Sequence, residues 1–525
     1  MIQSISSLQA QTTEGTDFWL TFGKNAFYTF GGDLQIRIVS KDKPTQGSIY
    51  FTELGTEQIF DLEPREVYTY ALTTGQKDAV YNSVGGWTTS KSIHITCTET
   101  VTVYALNQRQ ATTDATNVLP VTALGMEYYQ ISYQSVGAPL FDAYAIIATE
   151  NNTKIYHNTT EVASLNYGQV YYNASSIDMT GEHITADKLV AFFAVNQFTH
   201  IPVGYGDSDC LMQQLAPVKT WGKKFFVPVT HLTKERVRIV ASQDNTQITQ
   251  IGGIVISGNL NNLHAGQFVE LEAVIENNGC YIQADKPIGV CTYLTGGDYN
   301  GMVTSDPAQA WLPAMKQTTP EALIAPFVPV GYSNLIEHFA LVVTPTATKD
   351  NTEVSIGAGV PAPLSGDIWR DNTDAGMSFY TMPLTNTAAS YFFTNEKGLI
   401  VMGYGTGSAE SYYYLGYSAM RELEAAFYAN DVHFQDLTNT TFCEKMVNFR
   451  AELEGEIHPD PESIKWFIDG VEYFDARDLL EWNKSFETGE YDIEMQVRFE
   501  NNEIKSRSST LKVRVFWTKI KNIKH

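Results

Sequence analysis

Three segments of the sequence carry one repeated pattern, and that pattern decides the fold. They are His94-Ile95-Thr96-Cys97, His183-Ile184-Thr185-Ala186 and Tyr281-Ile282-Gln283-Ala284. In each case a short polar pair and then an apolar run follow, which predicts a β-hairpin with a tight turn. Each hairpin is followed in turn by a matching tripeptide: Val118-Leu119-Pro120, Leu215-Ala216-Pro217 and Trp311-Leu312-Pro313. A pattern that returns at a regular spacing indicates a tandem array of β units.

The repeated pattern belongs to larger units. From Lys224 to Leu294 short strand-like stretches alternate with turn residues, an arrangement typical of a β-sandwich. We predict an all-β fold of four tandem β-sandwich-like units, or alternatively a propeller-like ring of enlarged blades, followed by an immunoglobulin-like or PKD-like β-sandwich. A short helix is predicted at Met420–Tyr428. The predicted bounds are 1–14 for a residual leader, 15–122, 123–222, 223–324 and 325–434 for the four units, and 435–525 for the last module.

The composition excludes several classes of protein. The chain has 35 Lys and Arg against 59 Asp and Glu, and a net charge of −24 repels nucleic acid and anionic lipid. No apolar run approaches the roughly 20 residues of a membrane-spanning helix. The stretch Ser7–Gln11 resembles the end of an export signal. We therefore expect an exported protein that works outside the cell or on its surface.

The five cysteines are too few for a disulfide-rich scaffold and show no zinc-binding spacing. If Asp285-Lys286 is a two-residue hairpin turn, Cys280 faces Cys291 at a separation that suits a disulfide. The alternative is that both are small buried apolar side chains.

The connections between units hold the candidate binding residues. Exposed aromatic rings anchor protein interfaces and stack on sugars, and closely spaced carboxylates accompany them here. The candidates are Tyr205, Asp207, Asp209, Asp298, Tyr299, Tyr332, Tyr412 and Tyr413. Asp371, Asn372 and Asp374 offer the oxygen ligands that Ca²⁺ prefers, with ordinary turn chemistry as the alternative. No other cofactor is expected.

Three stretches together resemble a known family. They are Gly15-Thr16-Asp17-Phe18-Trp19-Leu20-Thr21-Phe22, Val101-Thr102-Val103-Tyr104-Ala105-Leu106-Asn107, and the run from Thr113 through Val118-Leu119-Pro120-Val121 to Tyr128. Over residues 15–420 the chain resembles the IgGFc-binding protein N-terminal domain family, and its C-terminal part resembles the PKD-like modules of Bacteroidetes-type surface proteins. The resemblance implies an extracellular, non-enzymatic protein associated with adhesion.

We therefore expect an adhesion or binding protein that recognises a host or matrix protein or glycan outside the cell. The resemblance suggests a mucin-like or immunoglobulin-like ligand. A structural component of a bacterial cell-surface or secretion assembly is the first alternative. A carbohydrate-active enzyme, in which two loop carboxylates act as acid and base, is the second. The preferred function requires no catalysis, so the chain is predicted not to be an enzyme.

Overall fold

A computed structural model describes residues 12–26, 33–302, 304–331, 333–364, 367–420, 425–453, 457–499 and 504–514. The chain divides into an N-terminal domain, Thr12–Met420, and a C-terminal domain that takes the chain from Arg421 onward. Strands dominate both domains, which confirms the all-β prediction. In the described ranges no helix is long and apolar enough to cross a membrane.

The N-terminal domain consists of four repeat units. The first contains β1 (Gly15–Leu20), β2 (Phe22–Gly23), β3 (Asp33–Ser40), β4 (Thr45–Phe51), β5 (Thr56–Leu62), β6 (Val67–Ala71), α1 (Thr74–Asp78), β7 (Tyr81–Asn82), β8 (Trp87–Thr89), β9 (Ile93–Arg109) and β10 (Thr112–Val118). The second contains β11 (Gly125–Tyr129), β12 (Asp142–Ala148), β13 (Thr153–His157), β14 (Thr160–Leu165), β15 (Val170–Ser175), β16 (His183–His200) and β17 (Ser208–Gln214).

The other two units follow the same order. The third contains β18 (Gly222–Val227), β19 (Lys234–Ala241), β20 (Ile248–Ile251), β21 (Gly253–Ser257), β22 (Phe268–Val274), β23 (Cys280–Leu294), α2 (Gly297–Asn300) and β24 (Ala308–Trp311). The fourth contains β25 (Thr319–Ile324), β26 (Leu335–Pro345), β27 (Glu353–Ile356), β28 (Ala362–Pro363), β29 (Arg370–Asn372), β30 (Met377–Pro383), β31 (Tyr391–Gly407) and β32 (Glu410–Tyr417). Short 3₁₀ turns at Val121–Ala123, Val218–Thr220 and Met315–Gln317 lead from one unit into the next, and others lie at Ile275–Asn277 and Thr346–Asn351.

Each repeat unit is built around one long strand: β9, β16, β23 or β31. In the first unit, the N-terminal part of β9 pairs with β1 and β4, and its C-terminal part pairs with β3 and β10. The corresponding strands surround the long strand of every other unit. Because the two ends of the long strand pair with different strands, the sheet curls over itself into a sandwich-like unit, as predicted.

The predicted hairpins are wrong, because each is a single bent strand. The polar residues expected to reverse the chain form a wide bulge instead: the step from Gly15 to Asp17 on β1 lies opposite the longer step from Val101 to Thr96 on β9. The same mismatch recurs in the other three units. A bulge bends a strand without reversing it. A hairpin turn and a bulge both place polar residues between apolar runs, so the sequence pattern by itself does not distinguish a turn from a bulge.

The predicted Cys280–Cys291 disulfide was based on the hairpin and is wrong for the same reason. Both cysteines lie on β23, where Cys280 pairs with Val227 and Cys291 with Arg238. The intervening strand holds them apart, since each strand residue adds about 3.3 Å. Both thiols are free. Burial raises the pKa of each to about 12, so they remain protonated and pack as small apolar side chains.

The four units form a closed cycle. The strands that follow the long strands, β10, β17, β24 and β32, meet at the centre, where each contacts the next and β32 contacts β10. The last unit also contacts the first directly, since the Tyr104 hydroxyl is 3.0 Å from the carbonyl oxygens of both Leu323 and Gly416. The domain thus has the closed arrangement of the ring alternative, built from sandwich-like units.

Asp114 on β10 connects all four units. Its buried carboxylate accepts backbone N–H groups from Ala115 at 2.8 Å, Met212 at 3.0 Å, Gln309 at 3.2 Å and Tyr413 at 3.3 Å. The last three belong to the second, third and fourth units. One side chain therefore satisfies backbone donors of every unit at the centre of the domain.

Several predicted boundaries differ in the structure. The fourth unit begins at Thr319 rather than 325, because β25 pairs with β31. Residues 1–11 of the predicted leader lie outside the described ranges, but Thr12 already forms a bridge with Ala419 inside the domain. The N-terminal domain ends at Met420, before the predicted 434.

The short helix predicted at Met420–Tyr428 is wrong where the structure describes it. Ala425–Ala429 is a strand, β33, that pairs with Met446–Leu453, and residues 421–424 lie outside the described ranges. Burial of Phe427 in the core of the C-terminal domain overrides the helix preference of the Glu- and Ala-rich sequence.

The C-terminal domain is a sandwich of two sheets. Its strands are β33 (Ala425–Ala429), β34 (Val432–His433), β35 (Thr441–Phe442), β36 (Met446–Leu453), β37 (Ile464–Ile468), β38 (Val471–Glu472), β39 (Glu481–Ser485), β40 (Gly489–Arg498) and β41 (Ile504–Val513), with 3₁₀ turns at Phe434–Asn439 and Phe474–Ala476. The sheets have the orders β34-β33-β36-β39 and β35-β41-β40-β37-β38. Phe449, Trp466 and Trp482 pack between them. Its assignment as immunoglobulin-like or PKD-like remains a prediction.

Candidate binding site

Two loops of neighbouring units meet at the surface of the N-terminal domain. One follows β16 in the second unit and the other follows β23 in the third. Their tyrosines, Tyr205 and Tyr299, pack edge to face with ring centroids 4.7 Å apart. Tyr205 remains 44% exposed. Two of the predicted aromatic residues therefore form one pair, with Tyr205 exposed and Tyr299 half-buried, although they are distant in the sequence.

Two predicted carboxylates hold these loops together. Asp207 accepts the backbone N–H of Asp298 at 2.6 Å, and Asp298 accepts the backbone N–H of Gly206 at 2.5 Å. Since Tyr205 precedes Gly206 and Tyr299 follows Asp298, this reciprocal bonding sets the position of both rings. We call Tyr205, Asp207, Asp298 and Tyr299 the tyrosine surface.

A charged pair supports Tyr299 from inside the domain. Arg236 on β19 and Glu272 on β22 are opposite each other in the sheet, and both are buried. The Tyr299 hydroxyl donates to the Glu272 carboxylate and accepts from Arg236 Nη2 at 3.3 Å. Lys234 Nζ lies 4.8 Å from the Tyr299 ring centroid, within the range of a cation–π contact. The ring is thus fixed by three charged residues.

The same contacts determine the protonation of Tyr299. Burial and its hydrogen bond to Glu272 raise the pKa of the Tyr299 hydroxyl to about 12. The hydroxyl therefore stays protonated at neutral pH and keeps its bond to Glu272. The tyrosine surface offers aromatic edges and carboxylate oxygens already engaged by backbone donors, an arrangement suited to binding.

Three other predicted binding residues are buried, which corrects their proposed role. Tyr412 and Tyr413 lie on the central strand β32 and are fully covered. Asp209 is the second residue of β17, and its carboxylate accepts the backbone N–H of Thr113 at 2.5 Å. All three are next to loops in the sequence, but the closure of the four units places them in the interior. Tyr332 lies outside the described residues.

At the calcium site predicted from Asp371, Asn372 and Asp374, two of the three residues already have partners within the chain. Lys349 Nζ lies 2.6 and 2.5 Å from the two Asp371 carboxylate oxygens and lowers the pKa of Asp371. Asn372 accepts the backbone N–H of Ala375 at 2.9 Å, which is ordinary turn chemistry. Throughout the described part of the chain, no group of three or more His, Cys, Asp and Glu residues is placed to hold a metal ion.

Sequence reasoning missed Lys234, Arg236 and Glu272. A signal was present, because Lys234, Arg236 and Arg238 stand at alternate positions of the sequence. Charged residues in a strand usually face solvent. Only the pairing of β19 with β22 shows that Arg236 and Glu272 are covered and lie behind an aromatic ring.

Comparison with known proteins identifies the family. A family model described as "IgGFc binding protein" matches residues 114–405. The human "IgGFc-binding protein" is 26% identical over 324 residues, which cover 58% of this chain and 6% of the human protein. The chain therefore spans only a small part of that relative.

A comparison with solved structures gives little further information. Dimeric latent PorU from Porphyromonas gingivalis is 10% identical, with 62% of this chain and 32% of that chain covered and a TM-score of 0.13. A similarity of this size carries no argument about fold or function. The family model, in contrast, matches more than half of the residues. The chain belongs to the IgGFc-binding protein family.

Proposed function

We propose that this chain is an extracellular adhesion protein that binds a protein ligand through the tyrosine surface. The exposed ring of Tyr205, held against Tyr299 by the paired loops, is the observation that carries the proposal. An aromatic side chain that is exposed but already fixed loses little conformational entropy on binding. It is therefore suited to serve as the anchor of an interface.

Charge favours a protein over a neutral sugar as the ligand. Asp207 and Asp298 lie beside the tyrosine pair, and the ammonium group of Lys234 lies next to Tyr299. Charges of both signs around an aromatic anchor can pair with the side chains of a protein partner. The name of the human relative makes the Fc region of immunoglobulin G the first ligand to test, and mucin the second.

The test compares Tyr205→Ala with the unchanged protein in a surface plasmon resonance measurement on immobilised Fc and, separately, on mucin. We expect an affinity loss of about tenfold or more, as for other interface anchors. Tyr50→Ala is the matched control, because Tyr50 is similarly exposed, at 39%, but lies on the first unit. Binding that is unaffected by Tyr205→Ala would show that the ligand docks elsewhere. A lack of binding to either ligand by the unchanged protein would refute this choice of ligands.

A second candidate function, as a self-assembling structural component, is favoured by one observation. Among the strands that the structure describes, the edge strand β21 pairs with β22 alone. It exposes three consecutive apolar side chains, Ile254 at 50%, Val255 at 42% and Ile256 at 44%. Such an edge can pair with the same strand of a second copy. Sedimentation velocity would then show an association that Val255→Lys abolishes and that Ile336→Lys, a change at an exposed site on the fourth unit, preserves.

A further inference from the structure

A cavity of about 500 Å³ opens on the first repeat unit, near its seam with the second. It is lined by Lys24, Asp78, Tyr81, Ser83 and Lys91. Its volume lies within the range of small-molecule sites, and two of the described residues that line it carry an ammonium group. The tyrosine surface lies between the second and third units, so this cavity is separate from it.

The two ammonium groups of the cavity are held in place by backbone carbonyl groups. Lys24 Nζ donates to the carbonyl oxygen of Pro139, in the second unit, at 3.1 Å. Lys91 Nζ donates to the carbonyl oxygens of Asp78 at 2.9 Å and Tyr81 at 3.2 Å. These contacts position both cations and leave N–H groups for a further acceptor, since each ammonium has three.

Neither cation has a counter-ion within the described structure. No carboxylate of the described residues lies within ion-pairing distance of Lys24 or Lys91, and the side chain of Asp78 is exposed. Burial lowers the pKa of Lys24, because its charge is partly desolvated without compensation. In a chain with a net charge of −24, two uncompensated cations lining one cavity require an explanation. An anionic ligand would supply the missing charge.

The rim of the cavity indicates the class of anion. Ser83 contributes a hydroxyl group and Tyr81 an aromatic ring, both from the segment that joins α1 to β8. The bond from the Thr89 hydroxyl to Asn82 at 2.8 Å holds this segment closed on itself. An aromatic side chain packs on the apolar face of a sugar ring, while ammonium and hydroxyl groups bind its acidic and polar substituents.

We propose that this cavity binds an acidic saccharide, with Lys24 and Lys91 on its carboxylate or sulfate group and Ser83 on a sugar hydroxyl. The site does not depend on the proposed role of the tyrosine surface, because its lining residues belong to the first unit and none of them is part of that surface. Its ligand is bound by charge, so the affinity falls as the salt concentration rises.

The test is isothermal titration calorimetry of the whole chain with three trisaccharides of equal size, one sialylated, one sulfated and one neutral. The neutral sugar is expected to bind at least about tenfold more weakly than one or both of the acidic sugars. Lys24→Gln and Lys91→Gln should each lower the affinity for the acidic sugar by about tenfold. Lys24→Arg and Lys91→Arg should leave this affinity unchanged, because they keep the positive charge. Asp78→Asn should strengthen binding of the acidic sugar, because it removes a negative charge from the lining of the cavity. The preference between sialylated and sulfated sugar identifies the anion.

Lys43→Gln is the matched control, since Lys43 is exposed and already paired with Glu99 at 3.1 Å. It removes one positive charge elsewhere on the first unit and should leave the affinity unchanged. Melting temperatures show whether each variant is folded. If a glutamine variant is not folded, the affinity of the arginine variant at the same position tests the role of that residue. Equal binding of neutral and acidic sugars would overturn the proposal. So would a short Asp- and Glu-rich peptide that binds more tightly than either acidic sugar, because the site would then take peptides.

Discussion

At the scale of single residues, Asp114 shows how one buried side chain can hold a repeat domain together. Each of its two carboxylate oxygens accepts two backbone N–H groups, and the four donors come from all four units. Buried backbone donors without partners are costly, so these contacts matter for every unit at once. The sequence shows Asp114 only as an acidic residue between threonine and alanine.

Asp114→Ala is expected to destabilise the N-terminal domain by at least about 3 kcal/mol, since it leaves several buried N–H groups unpaired at roughly 1–3 kcal/mol each. Urea denaturation followed by tryptophan fluorescence measures the change. Asp42→Ala is the control, because Asp42 is 53% exposed and pairs with Arg65 at 3.2 Å. Its loss should cost less than about 1 kcal/mol. Equal effects of the two substitutions would contradict the central role of Asp114.

Two other buried carboxyl groups make stability depend on pH. Burial raises the pKa of Asp306 to about 8, aided by Asp207 and Asp298, and it raises the pKa of Glu235 to about 7. A raised pKa in the folded state means that folding favours the protonated acid. The stability from these groups is complete below their ordinary pKa near 4 and is lost as the pH rises through 7 and 8.

We therefore expect a higher melting temperature of the N-terminal domain at pH 5.5 than at pH 8.5. Asp306→Asn keeps the shape of the side chain without a charge, so it should raise the melting temperature at pH 8.5 and change it little at pH 5.5. Differential scanning calorimetry at both pH values measures this. A variant with the same pH dependence as the unchanged protein would show that Asp306 is not the group that titrates.

At the scale of elements, the long strands explain why the predicted hairpins are single strands. Asp187 and Asp285 in the bulges accept the backbone N–H groups of Lys154 and Gln247 on the neighbouring strand, each at 2.8 Å. These polar residues therefore replace ladder bonds where the strand bends, and they do not turn the chain. The side chains that hydrogen-bond the free backbone groups of a bulge are of the same types as those that hydrogen-bond the backbone groups of a turn.

The bulge of the fourth unit can be tested at Gly398. This residue has a φ of +92°, and an added Cβ would lie 2.5 Å from Thr318 Oγ1. Gly398→Ala is expected to cost about 1–3 kcal/mol more than Gly376→Ala, because the latter glycine has a φ of +63° but nothing within 4 Å. Urea denaturation compares the two. Equal costs would mean that the bulge yields to the extra methyl group.

At the scale of the whole N-terminal domain, closure distinguishes it from a linear array. Removing the last repeat of a linear array removes mainly its own contribution to stability. Here the fourth unit also covers the first: it supplies the Tyr413 N–H to Asp114 and the carbonyl partners of Tyr104. Glu14, near the start of the domain, also accepts the Tyr417 hydroxyl at 2.6 Å.

A chain that ends at Gln317 is therefore expected not to fold, whereas a chain that ends at Met420 should retain the fold of the N-terminal domain. Circular dichroism and the sharpness of the urea transition distinguish these outcomes. A cooperative transition in the shorter chain would contradict the closed arrangement, since its first three units would then be stable without the fourth.

The candidate site could be predicted only in part. Tyr205, Asp207, Asp298 and Tyr299 were recognisable as loop residues of types that bind ligands, because such residues stand between apolar runs. Their meeting was not predictable, since it depends on which units are neighbours. Tyr412 and Tyr413 have the same residue types at a similar place in the repeat, yet they are buried.

The sequence by itself determined that this protein is all-β and built from repeats, because alternation, β-branched residues and recurring motifs are local properties of the chain. Only the tertiary structure decided that each repeated motif is one bent strand, that the four units close into a cycle, and which polar residues stay at the surface. These outcomes depend on contacts between residues hundreds of positions apart, such as Tyr104 with Gly416. The sequence pattern within one repeat does not determine which of its surfaces the neighbouring repeat will bury.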